Sequence, residues 1–115
     1  TEKIAAIVDQ EVQKEGISVD FGFQEVFPAT KNDANCSQYL ELALNAENLN
    51  WEYLENPFRW SEDFGHYSKI AKTCFFGLGS GEAQPVLHDD KFDFPDSLIP
   101  NGVAIYQAII KQILQ

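Results

Sequence analysis

Apolar and polar positions along the chain change period several times, and each change marks an element. Residues 2–15 put Ile4, Ile7, Val8 and Val12 on one face, which predicts a helix that Thr1 can cap and Gly16 can stop. From there the period falls to two. Ile17, Val19, Phe21, Phe23 and Phe27 alternate with Ser18, Asp20, Gly22 and Gln24, the pattern of a half-buried strand that Pro28 ends. A helix and a strand with one apolar face each can cover one another only in part. Residues 1–27 therefore read as a portion of an α+β sandwich.

The polar, turn-rich run Pro28-Ala29-Thr30-Lys31-Asn32-Asp33 is the best domain boundary in the chain. After it a second helix is expected, capped by Asn32 or Asp33, with Cys36, Tyr39, Leu40, Ala43 and Leu44 as its buried face. A loop over Asn45–Asn50 leads to a short strand at Trp51, Tyr53 and Leu54, closed by Asn56-Pro57. Ser61 is the next N-cap, with Glu62 and Asp63 in a first turn where the helix dipole favours acids, and that helix runs to about Ala71. Thr73–Leu78 is continuously apolar apart from Gly77, as in a strand buried on both faces. Beyond a glycine-rich loop lie Val86-Leu87-His88 and Phe92-Asp93-Phe94-Pro95, then a final helix from about Ser97 to Leu114. No internal repeat is visible, and the expected class is α/β.

Composition narrows the partners. Eighteen acids against eight bases give a formal net charge of −10, which repels nucleic acid and anionic membrane surfaces. The hydrophobic fraction of 44% and nine phenylalanines suffice for a core, yet no run nears the roughly 18 apolar residues of a membrane span. Thr1 leads straight into a charged amphipathic segment, so no signal peptide is expected, and since Thr1 is not Met a processing boundary is expected there. Cys36, in a helical pattern, and Cys74, in an apolar run, read as two buried thiols suited to a reducing cytoplasm.

Three features carry candidate chemistry. Gly77-x-Gly79-x-Gly81 has the glycines of a phosphate loop, but Glu82-Ala83-Gln84-Pro85 follows instead of a helix, so it reads as a flexible strand exit. Ser61-Glu62-Asp63-Phe64 read alone is a capped helix start, its adjacent acids pointing about 100° apart and forming no acid/base pair. His88, among Asp89, Asp90 and Asp93, has the neutral imidazole of a metal ligand, although one histidine does not make a site and His66 sits on another element.

The order and spacing of these features lift them. Ser61-Glu62-Asp63-Phe64, then Cys74-Phe75-Phe76-Gly77-Leu78-Gly79, then Leu87-His88-x-x-x-Phe92-Asp93-Phe94, then Leu98-Ile99-Pro100-x-Gly102 together resemble the C-terminal end of the N-acyl-amino-acid amidohydrolases. These are the hippurate hydrolase and auxin-conjugate hydrolase type, within the wider aminoacylase and zinc carboxypeptidase group. The resemblance covers almost the whole chain. It implies that residues 1–28 are the last helix and strand of an inserted lid or dimerisation domain. Residues 29–115 would then be the C-terminal segment of a catalytic α/β domain.

By the same resemblance His88 matches the final ligand of a two-metal centre of Zn or Mn type, and Ser61 and Glu62 line the substrate pocket. Asp63 is mainly structural, and the Gly79–Gln84 loop lies near the pocket. Trp60 stands where many relatives carry a small residue, which alters the pocket, and His66 takes a position usually aromatic. The family's remaining ligands are a Cys-x-His or equivalent pair, a Glu-Glu pair that includes the general base, and a further His. None is in this chain: Cys36 is followed by Ser37-Gln38 and Cys74 by Phe75-Phe76.

The expectation is thus a C-terminal fragment that binds no metal of its own, is inactive alone and self-associates through uncovered apolar faces. Its parent would hydrolyse the amide bond of an N-acyl amino acid with metal-activated water. Two alternatives stand beside it: a parent among the di- and carboxypeptidases of the same group, or a non-catalytic α/β interaction module.

Overall fold

The computed structural model describes residues 1–59 and 62–115. Three α-helices form where the 3.6-residue period predicts them: α1, Glu2–Glu15; α2, Ala34–Ala46; and α3, Ile99–Ile113. Two short 3-10 helices, Asp63–Lys69 and Asp96–Leu98, complete the regular structure. The ends follow the capping logic. Gly16 stops α1 in the left-handed conformation at φ 63°, returning its N–H to Val12, and glycine adopts this at no steric cost. Asp33 caps α2, its carboxylate accepting the N–H groups of Asn35 and Cys36. Thr1 precedes α1 without a side-chain cap bond.

The expected α/β class is corrected: among the described residues there is no strand and no sheet. Ile17–Phe27, Trp51–Leu54, Thr73–Leu78 and Val86–His88 form no ladder. A period of two shows which side chains share a face, but a strand exists only where a neighbour meets its N–H and C=O groups. The neighbours are missing here, and the exposure shows it: Ile17, Val26 and Phe23 are 62%, 53% and 44% exposed. Thr73–Phe76 are half-buried and Leu78 is exposed, so this segment is not buried on both faces either. The predicted helix over 61–71 is a 3-10 helix whose described N-cap is Glu62, which makes no side-chain cap bond.

The core is small. Ala43 on α2 and Ile105 and Ala108 on α3 are the buried hydrophobic residues, and α2 packs on α3. The Thr73–Leu78 segment joins them through Phe76, whose ring centroid lies 6.2 Å from that of Tyr106 on α3. Two contacts fix this segment against the start of α2. Asp33 donates its N–H to the carbonyl of Thr73 at 2.8 Å, and the Asn32 side chain bonds both backbone groups of Phe75. By contrast α1 packs on no other helix. The radius of gyration is 20.1 Å, against about 13 Å for a compact domain of this length.

Candidate functional site

The Ser-Glu-Asp-Phe turn sits on the Thr73–Leu78 segment. Phe64, in the 3-10 helix, stacks at 5.0 Å on Phe75 and at 5.6 Å on Tyr67. The helix is held from below by Gly65, which is buried against Pro28; a Cβ there would come within 2.3 Å of the Pro28 carbonyl oxygen. Ser68 closes the helix by donating its hydroxyl to the Gly65 carbonyl at 2.7 Å. Glu62 is half-buried with an extended backbone immediately before this turn, and Asp63 is exposed. Ser61 and Trp60 lie outside the described residues.

An apolar groove of about 250 Å³ opens beside this turn, between Phe64, the Cys74–Phe76 stretch and Tyr106. Gly102 on α3 forms part of its wall, with Leu78 in ordinary van der Waals reach. Sequence reasoning missed this groove, because Phe75 and Phe76 were read as part of a buried strand and Phe64 only as part of the Ser-Glu-Asp-Phe turn. The signal was the recurrence of phenylalanines in both motifs, Phe64 in one and Phe75-Phe76 in the other.

His88 lies in the loop between the Thr73–Leu78 segment and α3. It is exposed in a turn closed by Asp89 N–H to Val86 C=O at 3.0 Å, and its own φ is 73°. A non-glycine residue rarely adopts this left-handed conformation, which costs about 1 kcal/mol or more. A second turn follows, with Phe92 N–H on Asp89 C=O and Lys91 N–H on the Asp89 carboxylate. His88 thus belongs to the first of two consecutive turns. Among the described residues no three His, Cys, Asp or Glu side chains converge in a way that holds a metal ion. A structural or catalytic zinc takes at least three protein ligands, so these residues do not fit a metal centre by themselves. The His66 ring packs edge-on to Phe27, with Lys69 Nζ 3.4 Å from Nδ1.

Two groups have displaced protonation. Burial pushes the Cys36 thiol up, and the Asp33 carboxylate and Cys74 add to it, while Lys72 acts in the opposite direction. Tyr53 is raised by its hydrogen bond to Glu41, the carboxylate accepting the phenol proton. Neither belongs to a predicted site. A wider open cleft of about 550 Å³, lined by Asn35, Cys36, Tyr39 and Lys72 among others, lies on α2 away from the Phe64 groove.

Among the described residues no helix is long and apolar enough to cross a membrane. Residues 3–112 match peptidase family M20/M25/M40. An uncharacterised hydrolase of Staphylococcus saprophyticus is 30% identical over 102 residues, which is 83% of this chain. The chain spans about a quarter, 26%, of the length of that curated relative. No solved structure matches it.

Proposed function

The chain belongs to peptidase family M20/M25/M40, and from that premise we propose that it is part of a hydrolase acting on the amide bond of N-acyl amino acids. The observation that carries this reading is the continuous family match over residues 3–112, which takes in both the Ser61-Glu62-Asp63-Phe64 turn and the Leu87-His88-x-x-x-Phe92-Asp93-Phe94 motif. The amide substrate is supported by those motifs, which resemble the amidohydrolase branch.

In this reading the chain's own groups bind and position. Glu62, half-buried ahead of the 3-10 helix, and Ser61 beside it border the substrate. The groove between Phe64, Phe75, Phe76 and Tyr106 offers an apolar wall to an acyl group. His88, exposed in the turn closed between Val86 and Asp89, would offer one imidazole as a ligand. The described residues complete no metal set, so the two divalent ions, of zinc or manganese type, would need ligands from protein beyond this quarter of the relative's length. No general base is assigned among residues 1–115.

The test is hydrolysis of N-acetyl- and N-benzoyl-amino acids, with dipeptides alongside, by a longer protein that contains this chain and by the 115-residue chain alone. The longer protein is expected to cleave the acylated amino acids and to lose at least about a hundredfold in rate as His88→Ala, in line with the loss of a metal ligand. The 115-residue chain is expected to match its own His88→Ala variant at background. Preference of the longer protein for dipeptides would move the assignment to the peptidase branch.

A further inference from the structure

Asp33 ties together the two places where this chain keeps a thiol. Its N–H donates to the carbonyl of Thr73, the residue before Cys74, at 2.8 Å. Its carboxylate accepts the N–H of Cys36 at 3.2 Å. A second, independent contact closes the same gap from the side chains: Ser37 Oγ lies 3.7 Å from Cys74 Sγ. The start of α2 and the Thr73–Leu78 segment are therefore clamped together at the level of both cysteines. Each thiol is free and half-buried.

Cys36 lines the open cleft that also holds Lys72, and Cys74 lines the aromatic groove. Burial and Asp33 raise the Cys36 thiol and Lys72 only partly opposes them, so attack proceeds from the fraction of thiolate present. Lys72 also gives an anionic reagent a positive charge to approach on a chain of net charge −10.

We propose that Cys36 and Cys74 form a reversible redox pair, closing to an intramolecular disulfide when the chain meets a small-molecule disulfide of the glutathione class. One cysteine thiolate attacks a sulfur of the oxidant, breaking its S–S bond and releasing one glutathione thiolate, which takes up a proton. The other cysteine, deprotonated, then attacks the protein sulfur of the mixed disulfide and releases the second glutathione. Two electrons and two protons pass from the pair to the oxidant, and one S–S bond replaces another. Closure staples the N-terminus of α2 to the segment that carries Phe75 and Phe76, and so holds one wall of the aromatic groove.

The experiment equilibrates the 115-residue chain with oxidised and reduced glutathione, blocks the remaining thiols and reads the products by mass spectrometry, in buffer and in urea. The expected product is about 2 Da lighter, monomeric on a non-reducing gel, carries a Cys36–Cys74 cross-linked peptide and reopens with dithiothreitol. The closure constant in buffer is expected to exceed that in urea by about tenfold or more, since the fold holds the thiols near each other. Cys36→Ser and Cys74→Ser should each yield only a mono-glutathione adduct. Doubly glutathionylated chain, intermolecular disulfides alone, unreacted thiols, or equal closure constants in the two solvents would each overturn the pairing.

Discussion

Asn32 closes both backbone groups of Phe75: its side-chain Nδ2 donates to the Phe75 carbonyl at 2.8 Å, and the Phe75 N–H donates to Oδ1 at 2.8 Å. One amide side chain thereby does the work of a neighbouring strand for one residue. The Asp33–Thr73 bond beside it continues the same antiparallel match for a single step. Asn32→Ala should cost about 1–2 kcal/mol, because two hydrogen bonds near the surface are lost together. Asn32→Asp keeps the acceptor, loses the donor and faces the Phe75 carbonyl with a charge, so it should destabilise comparably. Urea midpoints of the two variants measure this; an unchanged midpoint in both would show that the clamp adds nothing.

Gly65 is the most crowded of the glycines. A methyl group there would meet backbone, the Pro28 carbonyl at 2.3 Å, and neither side is a flexible chain end that can swing away. Gly65→Ala should therefore cost about 2 kcal/mol or more, as overpacking does in a closed site. Gly22, with open space around it, is the matched control and should change stability little. Thermal midpoints of the pair decide it.

Surface area predicts the state of association. The chain exposes 9862 Å², against roughly 6,300 Å² for a compact monomer of its mass. The excess is several times the ~800 Å² that each partner buries in an ordinary protein interface. Much of it is apolar, with Ile4, Ile7, Ile17 and Val19 all at least 50% exposed. Sedimentation velocity at rising concentration should show dimers or larger species. A single monomer boundary across the range would refute this.

Stability should also fall on the alkaline side. The Cys36 thiol is raised above its ordinary value of 9.0, burial being the first cause. For a group raised in the fold, the stabilisation is complete below the unfolded value and is lost as pH climbs through the folded one. Tyr53, raised above 10.0 by Glu41, acts in the same direction at still higher pH. Urea midpoints should hold steady up to about pH 8.5 and then decline. Cys36→Ala should flatten the first part of that decline, and Tyr53→Phe the later part. A parallel decline in both variants would assign the effect elsewhere.

The three α-helices were legible in the sequence to within two residues, because their period, the stop at Gly16 and the cap at Asp33 are local properties of the chain. The strands were not. Alternation from Ile17 to Phe27 records a face that expects cover, and local sequence carries no information on whether the covering strand is present. The same limit applied at the candidate site. His88 could be singled out by its motif, but its left-handed backbone belongs to a turn closed between Val86 and Asp89 that the motif does not specify. The Asn32–Phe75 pairing was illegible for a plainer reason: Asn32 was one of two equal candidates to cap α2, and only the tertiary contact shows that Asp33 takes the cap while Asn32 turns away.

The packing of α2 on α3 has a kinetic meaning as well. The two helices are separated in sequence by everything from Glu47 to Leu98, so the entropy of closing that long loop must be met before either helix gains its principal contact. Helix α1 has no such contact to wait for. Folding of this chain is therefore governed by one late encounter, and a helix that forms early at the N-terminus does nothing to hasten it.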